Sequence, residues 1–237
     1  MAGAARRPSW LRWLAWGLGA VAVLLVALQA WYAAHILWWR GHPVGETSFM
    51  TYRMDELHAR NPKAELNYKW VPYDRISGNL KRALVAAEDA KFVDHEGFDW
   101  EGIQQALEKN QKKGRVVAGG STITQQLAKN LFLTPSRSYW RKAEEALITV
   151  MLEGLLPKRR ILELYLNVIE WGNGVFGAEA AARRYFGIAA ADLSAEQAAR
   201  LAAMAPNPRF YERNQGAPGL GRKTAIILAR MPSAELP

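Results

Sequence analysis

Two glutamates in this 237-residue chain stand where a carboxylate is not expected. On a helix, Leu80, Leu84, Glu88 and Phe92 share one face at i+4 spacing, so Glu88 interrupts an apolar stripe. Burial disfavours the charged form of a carboxyl and raises its pKa, which makes a useful acid or base near neutral pH. A glutamate at the edge of the stripe, reaching out to solvent, would give the same pattern. Glu145 falls on one face with Ile148 and Leu152 and interrupts a second stripe. Two such residues on different helices are the raw material of glycosyl chemistry, which works with paired carboxylates. Arg137, Arg141 and Lys142 could neutralise a phosphate leaving group near Glu145. An ordinary i+4 ion pair between Arg141 and Glu145 is the plainer alternative.

Between the glutamates runs Gly119-Gly120-Ser121-Thr122-Ile123-Thr124-Gln125-Gln126-Leu127-Ala128-Lys129-Asn130. Two glycines free the backbone and Ser or Thr then caps a helix. A helix N-terminus presents unpaired N–H groups and a positive dipole end, suited to phosphate. Ile123, Leu127 and Leu131 form its apolar face, and Thr122, Gln126, Lys129 and Asn130 the polar one. The row could bind a sugar phosphate, or be only a capped amphipathic helix.

The elements that must position these residues are mostly helical. The periodicity predicts helices over Leu80–Phe92, Ser121–Leu131, Tyr139–Leu156, Lys158–Val168 and Ala178–Phe186. A further helix starts at Ser194, with Gln197 completing a capping-box pattern, and ends at Pro206. Lys109–Gly120 is basic and glycine-rich with Val116 and Val117 at its tip, which reads as a loop, either a lid at a membrane surface or a solvated turn.

The N-terminus restricts where the chemistry takes place. From Leu14 to Ala34 the chain is apolar except for Gln29, about 21 residues, enough to cross a bilayer. Arg6, Arg7 and Arg12 precede it, and Trp10, Trp13, Trp16, Trp31, Tyr32, Trp38 and Trp39 mark its two edges. Positive flanks stay in the cytoplasm, so the rest of the chain is expected outside it. A cleavable signal would have a shorter apolar stretch and a small-x-small site. The expected division is an anchor over 1–40, a tether and lead-in over 41–75, and one helical domain over 76–237. The formal charge of +9 favours anionic partners, but scattered cations on the extracytoplasmic side speak against nucleic acid. With no cysteine, thiol and disulfide chemistry are excluded.

The motifs together resemble the peptidoglycan glycosyltransferase family, found in monofunctional biosynthetic transglycosylases and in the N-terminal half of bifunctional penicillin-binding proteins. The resemblance rests on Glu88-Asp89-x-x-Phe92-x-x-His95-x-Gly97, the Gly119–Asn130 run, Arg141-Lys142-x-x-Glu145 and Lys158-x-x-Ile161-Leu162-Glu163-x-Tyr165-Leu166-Asn167. It continues through Trp171-Gly172-x-Gly174-x-x-Gly177-x-x-Ala180-Ala181 and Tyr185-Phe186-Gly187, covering roughly residues 75–210. It implies a lysozyme-like helical fold with a small membrane-proximal lobe. It implies a single-pass enzyme of the bacterial inner membrane that polymerises lipid II, an undecaprenyl-pyrophosphate-linked disaccharide-peptide, onto a growing glycan strand. Glu88 would be the general base of an inverting transfer, and Glu145 the second essential glutamate. Lys129 and Arg137 would meet the pyrophosphate, and Ser121, Gln126 and Asn130 would line the cleft. Asp89 and His95 look structural. A divalent cation, Mg or Mn, could assist the pyrophosphate, although no metal-ligand cluster requires one. Other cell-wall synthesis or division proteins would be natural partners. No Ser-x-x-Lys motif is present, which points to the monofunctional class without penicillin-sensitive crosslinking.

Overall fold

A computed structural model of the chain describes residues 9–115, 119–136 and 138–237. Arg6, Arg7, Val116, Val117 and Arg137 therefore lie outside the described residues. The mainly helical architecture expected from the sequence is what forms. Helix α1 (Ser9–Trp39) is followed by α2 (Ser48–His58), α3 (Gly78–Glu88), α4 (Trp100–Lys113) and α5 (Ile123–Phe132). Then come α6 (Tyr139–Leu155), α7 (Lys158–Val168), α8 (Ala178–Phe186), α9 (Ala195–Met204), α10 (Pro208–Arg213) and α11 (Pro218–Arg230). Three short strands, β1 (Asn67–Tyr68), β2 (Glu170–Gly172) and β3 (Val175–Phe176), form a sheet in the order β1-β3-β2. β1 runs parallel to β3, and β2 antiparallel to it with an irregularity between Glu170 and Gly172.

α5 is the central element. It packs against α2, α6 and α7, and its Ile123, Leu127 and Leu131 are buried. α3 lies on the other side of the core, against α9 and α11, with Leu80 and Leu84 fully buried. The helix predicted over Leu80–Phe92 ends earlier, at Glu88. Asp89 leaves the helix at φ −162° and ψ 74°, and its side chain crosses to α5. The stretch 41–75, expected as a tether and lead-in, contains α2. Thr47 caps it through the Met50 N–H at 3.2 Å, and Phe49, Met50 and Met54 enter the core. Pro43 and Pro62 flank this helix rather than interrupt it. Of the basic loop expected from Lys109 onward, the first part is helical. α4 runs through Lys113 and stops at Gly114, whose φ of +62° is left-handed.

α1 is long and apolar enough to cross a membrane by length and composition, with a mean hydropathy of 2.0 over its most apolar window. Most of it is exposed, but Tyr32 and Ile36 near its end are buried against the domain.

Candidate active site

Glu88 is the last residue of α3, half-buried, with its carboxylate aimed at α5. Gln126 Nε2 donates to Glu88 Oε2 at 2.7 Å. The same amide accepts at Oε1 from the hydroxyl of Tyr165 at 3.1 Å. Tyr165 is fully buried on α7, and burial pushes its phenol well above the usual range, so it remains a donor. Its donation turns the NH2 of Gln126 toward Glu88. Burial pushes the Glu88 carboxyl above the ordinary carboxylate range, while the Gln126 hydrogen bond, Lys129 and Lys223 pull it partly back. The outcome is a carboxylate with raised proton affinity, contacted by one neutral donor and by no ion-pair partner among the described residues.

Asp89 fixes the position of that carboxylate. Its Oδ2 accepts the Ile123 N–H at 3.0 Å, and its Oδ1 lies 2.8 Å from His95 Nε2. The Gly97 N–H donates to His95 Nδ1 at 3.1 Å, which places the His95 proton on Nε2, facing Asp89. Thr122 Oγ1 donates to the Gly97 carbonyl at 2.7 Å. Gly97 has φ +86°, and a Cβ there would sit 2.7 Å from Thr149 Cγ2, so only glycine fits. The loop after α3 is thus latched onto the start of α5, and Glu88 is held against Gln126. Asp89 and His95 both make contacts that fix this latch.

The same latch engages much of the α5 N-terminus. Thr122 and Gln125 form a capping box, at 3.2 and 3.0 Å, and Asp89 takes the Ile123 N–H. A buried carboxylate and a reciprocal cap already occupy the positive end of the helix. The cap foreseen from the sequence is present, and Ser121, exposed just outside it, faces the cleft.

Two cavities meet at Glu88. One, of about 330 Å³, is bounded by Glu88, Asp99, Gln105, Gly120, Ser121 and Arg230. The other, of about 250 Å³, is bounded by Glu88, Ala203, Pro206, Lys223, Ile227 and Arg230. Lys223 and Arg230 belong to α11, which no motif announced, and Tyr165 sat inside a quoted motif without an assigned role. Glu88 and Ser121 line the cavities, and Gln126 supports Glu88. Asn130, only 5 % exposed, is buried in α5 and lines neither of the two.

Lys129 lies one turn beyond Gln126. It is half-buried, with Nζ 5.5 Å from the centre of the Phe49 ring. Among the described residues it has no hydrogen bond and no ion pair. Burial lowers its ammonium pKa, and Glu145 is the largest charge opposing that shift. Glu145 is buried on α6, held by Arg141 at 2.7 Å and by Lys142. The i+4 pair foreseen as the plain alternative is therefore present. Glu88, Gln126, Lys129 and Glu145 form a row in which the carboxylates at the two ends differ in partnership. Among the described residues no three Asp, Glu or His side chains gather as a metal site, and Glu145 is already engaged by two cations.

A family model described as Transglycosylase matches residues 55–232, a span that includes Glu88, Lys129, Glu145, Lys223 and Arg230. The chain belongs to the transglycosylase family. Biosynthetic peptidoglycan transglycosylase from Dechloromonas aromatica is 66 % identical over 226 residues, covering 95 % of this chain and 98 % of the relative. The proteins of that name from Chromobacterium violaceum and an Azoarcus species are each 62 % identical, covering 93 % and 95 % of this chain and 96 % and 97 % of the relatives. In this transglycosylase the similarity extends beyond the matched domain into the apolar N-terminal helix, since the aligned share exceeds the matched span.

Proposed function

We propose that this transglycosylase polymerises peptidoglycan glycan strands from lipid II at the outer face of the bacterial inner membrane, with its N-terminus in the cytoplasm. Glu88 takes the proton from the acceptor's 4-hydroxyl. The freed oxygen attacks the donor's anomeric carbon from the face opposite the leaving group. The bond from that carbon to undecaprenyl pyrophosphate breaks, a β-1,4 bond forms with inversion, and the pyrophosphate leaves with the bonding electrons. Lys129 meets the charge that develops on it, and Arg137 is proposed beside it. A desolvated cation without a partner stabilises that charge more in the transition state than in the ground state. Glu145, held by Arg141 and Lys142, opposes the lowering of the Lys129 pKa by burial.

The observation that carries this reading is the pairing of a carboxylate of raised proton affinity, at the meeting of two cavities, with a half-buried lysine that has no hydrogen bond or ion pair among the described residues and lies one helical turn beyond Gln126, the residue that contacts that carboxylate. A glycan hydrolase needs the carboxylate but not the lysine. The full-length protein incubated with purified lipid II should yield long glycan polymer and undecaprenyl pyrophosphate. Release of small saccharide fragments from preformed glycan, with no polymer made, would overturn it.

A further inference from the structure

The end of α1 is docked on the catalytic domain. Four rings from its last turns surround Phe132, the final residue of α5. Tyr32, Trp39, Trp31 and His35 lie 4.8, 5.2, 5.7 and 6.5 Å from it, centre to centre. These are favourable aromatic separations. The Tyr32 hydroxyl donates to Glu144 on α6. Arg160 on α7 supplies the second clamp. Its Nε donates to the Trp39 carbonyl at 2.7 Å, and its guanidinium also donates to the His42 carbonyl. Helix ends leave such carbonyls without partners, and a cation is favourable there. Glu163 holds the same guanidinium at 2.6 Å, and the face of Trp70 lies 5.1 Å away.

The element docked in this way is the one that carries the site. Along α5, Lys129 lies three residues before Phe132 and Gln126 six before it. At the usual helical rise these positions are roughly 4.5 and 9 Å from the anchor contact. A flexible tether would leave those heights undefined, but a docked anchor defines them.

We infer that Phe132 and Arg160 are positioning residues that make α1 a rigid strut. They hold Lys129 and Glu88 at a fixed height above the bilayer, where a lipid-borne pyrophosphate and its sugar must meet them. This rests on the proposed reaction, because it assumes a substrate confined to the membrane. It goes beyond that reaction in giving the anchor an aligning role that mere recruitment would not need.

The test compares the full chain with two variants, Phe132→Ala and a Gly-Ser-Gly-Ser insertion between Gly41 and His42. The insertion separates the two carbonyls that Arg160 clamps and leaves the aromatic nest in place. Polymerisation of the lipid-linked disaccharide is measured in phosphatidylethanolamine–phosphatidylglycerol vesicles and in detergent micelles, on the same preparations. In micelles the substrate can adjust its height, so both variants should keep most of their rate. In vesicles both should lose roughly ten- to a hundredfold, the range expected when reacting groups are misplaced. A merely structural loss lowers both rates together and leaves their ratio unchanged. An unchanged vesicle-to-micelle ratio in both variants overturns the strut. If Phe132→Ala does not fold, the insertion decides alone. A wild-type chain that makes no polymer in either medium refutes the proposed reaction instead.

Discussion

Glu88 and Glu145 are the same residue type on different helices, and their surroundings separate them. Glu145 is the more deeply buried, yet Arg141 and Lys142 compensate its charge. Glu88 is less buried but receives only one amide hydrogen bond and no cation at contact distance, so its pKa rises. Burial alone does not describe a carboxylate's environment; what separates these two is how far neighbouring cations compensate the charge.

The sharpest way to break this contrast is Glu88→Gln. It keeps the shape and removes the base, so turnover should fall by roughly 10²–10⁴-fold. The folded state holds the Glu88 carboxyl at a raised pKa, so at neutral pH its charge lowers stability relative to the unfolded chain. The melting temperature of Glu88→Gln at pH 7 should therefore equal or exceed that of wild type. A rate near wild type would remove Glu88 from the mechanism.

Lys129→Ala comes next, with turnover expected to fall by roughly 10²–10³-fold, as for loss of a preorganised group at a developing charge. Lys129 has no hydrogen bond or ion pair among the described residues, only the Phe49 ring at 5.5 Å, so thermal stability should largely hold. A large drop in melting temperature with a normal rate per folded molecule would make the residue structural. Lys129→Arg should rescue only in part, because a planar fork does not replace a compact ammonium.

Gln126→Leu should cost about tenfold, the scale of one net hydrogen bond to a charged group. It should also leave a signature in pH. The Gln126 hydrogen bond lowers the Glu88 pKa, so its loss raises that pKa further. A base works only when deprotonated, so the acid limb of kcat/KM should move to higher pH. An unmoved limb would show that Glu88 does not set it.

The smallest effect on rate is expected from Arg141→Met. It leaves Lys142 as the one cation on a buried Glu145, and stability should fall by about 1–3 kcal/mol. Turnover should change only a few-fold. A collapse of turnover with unchanged stability would mean that Arg141 itself contacts substrate.

How much of this was legible in the sequence depended on distance along the chain. The helix pattern from Tyr139 to Met204 was legible because apolar periodicity and caps are local, and the Ser194–Gln197 capping box formed as written. Glu88 and Glu145 were visible as carboxylates interrupting apolar stripes. The closure of the α5 N-terminus was not, because the group that closes it, Asp89, lies 34 residues upstream. α4 was missed although Trp100, Ile103, Ala106 and Leu107 recur at helical spacing and Asp99 caps it; that pattern lies between the motifs and was not read. Lys223 and Arg230 reach Glu88 only through the packing of α11 on α3 and α9, which no local motif encodes.

The docking of Tyr32 and Ile36 also bears on bilayer thickness. At its full length α1 would span roughly 46 Å, well beyond a hydrocarbon core of about 30 Å. The turns around Tyr32, Ile36 and Trp39 are taken up by the domain, and the stretch from Trp10 to Trp31 left for lipid is roughly 33 Å. If α1 crosses the bilayer as proposed, lipid and protein share one helix, divided near Trp31. A thicker bilayer would compete with Phe132 for those last turns, and a thinner one would tilt the helix and the domain fixed to it. On the proposed topology, membrane thickness becomes a mechanical input to the orientation of the row formed by Glu88, Gln126, Lys129 and Glu145.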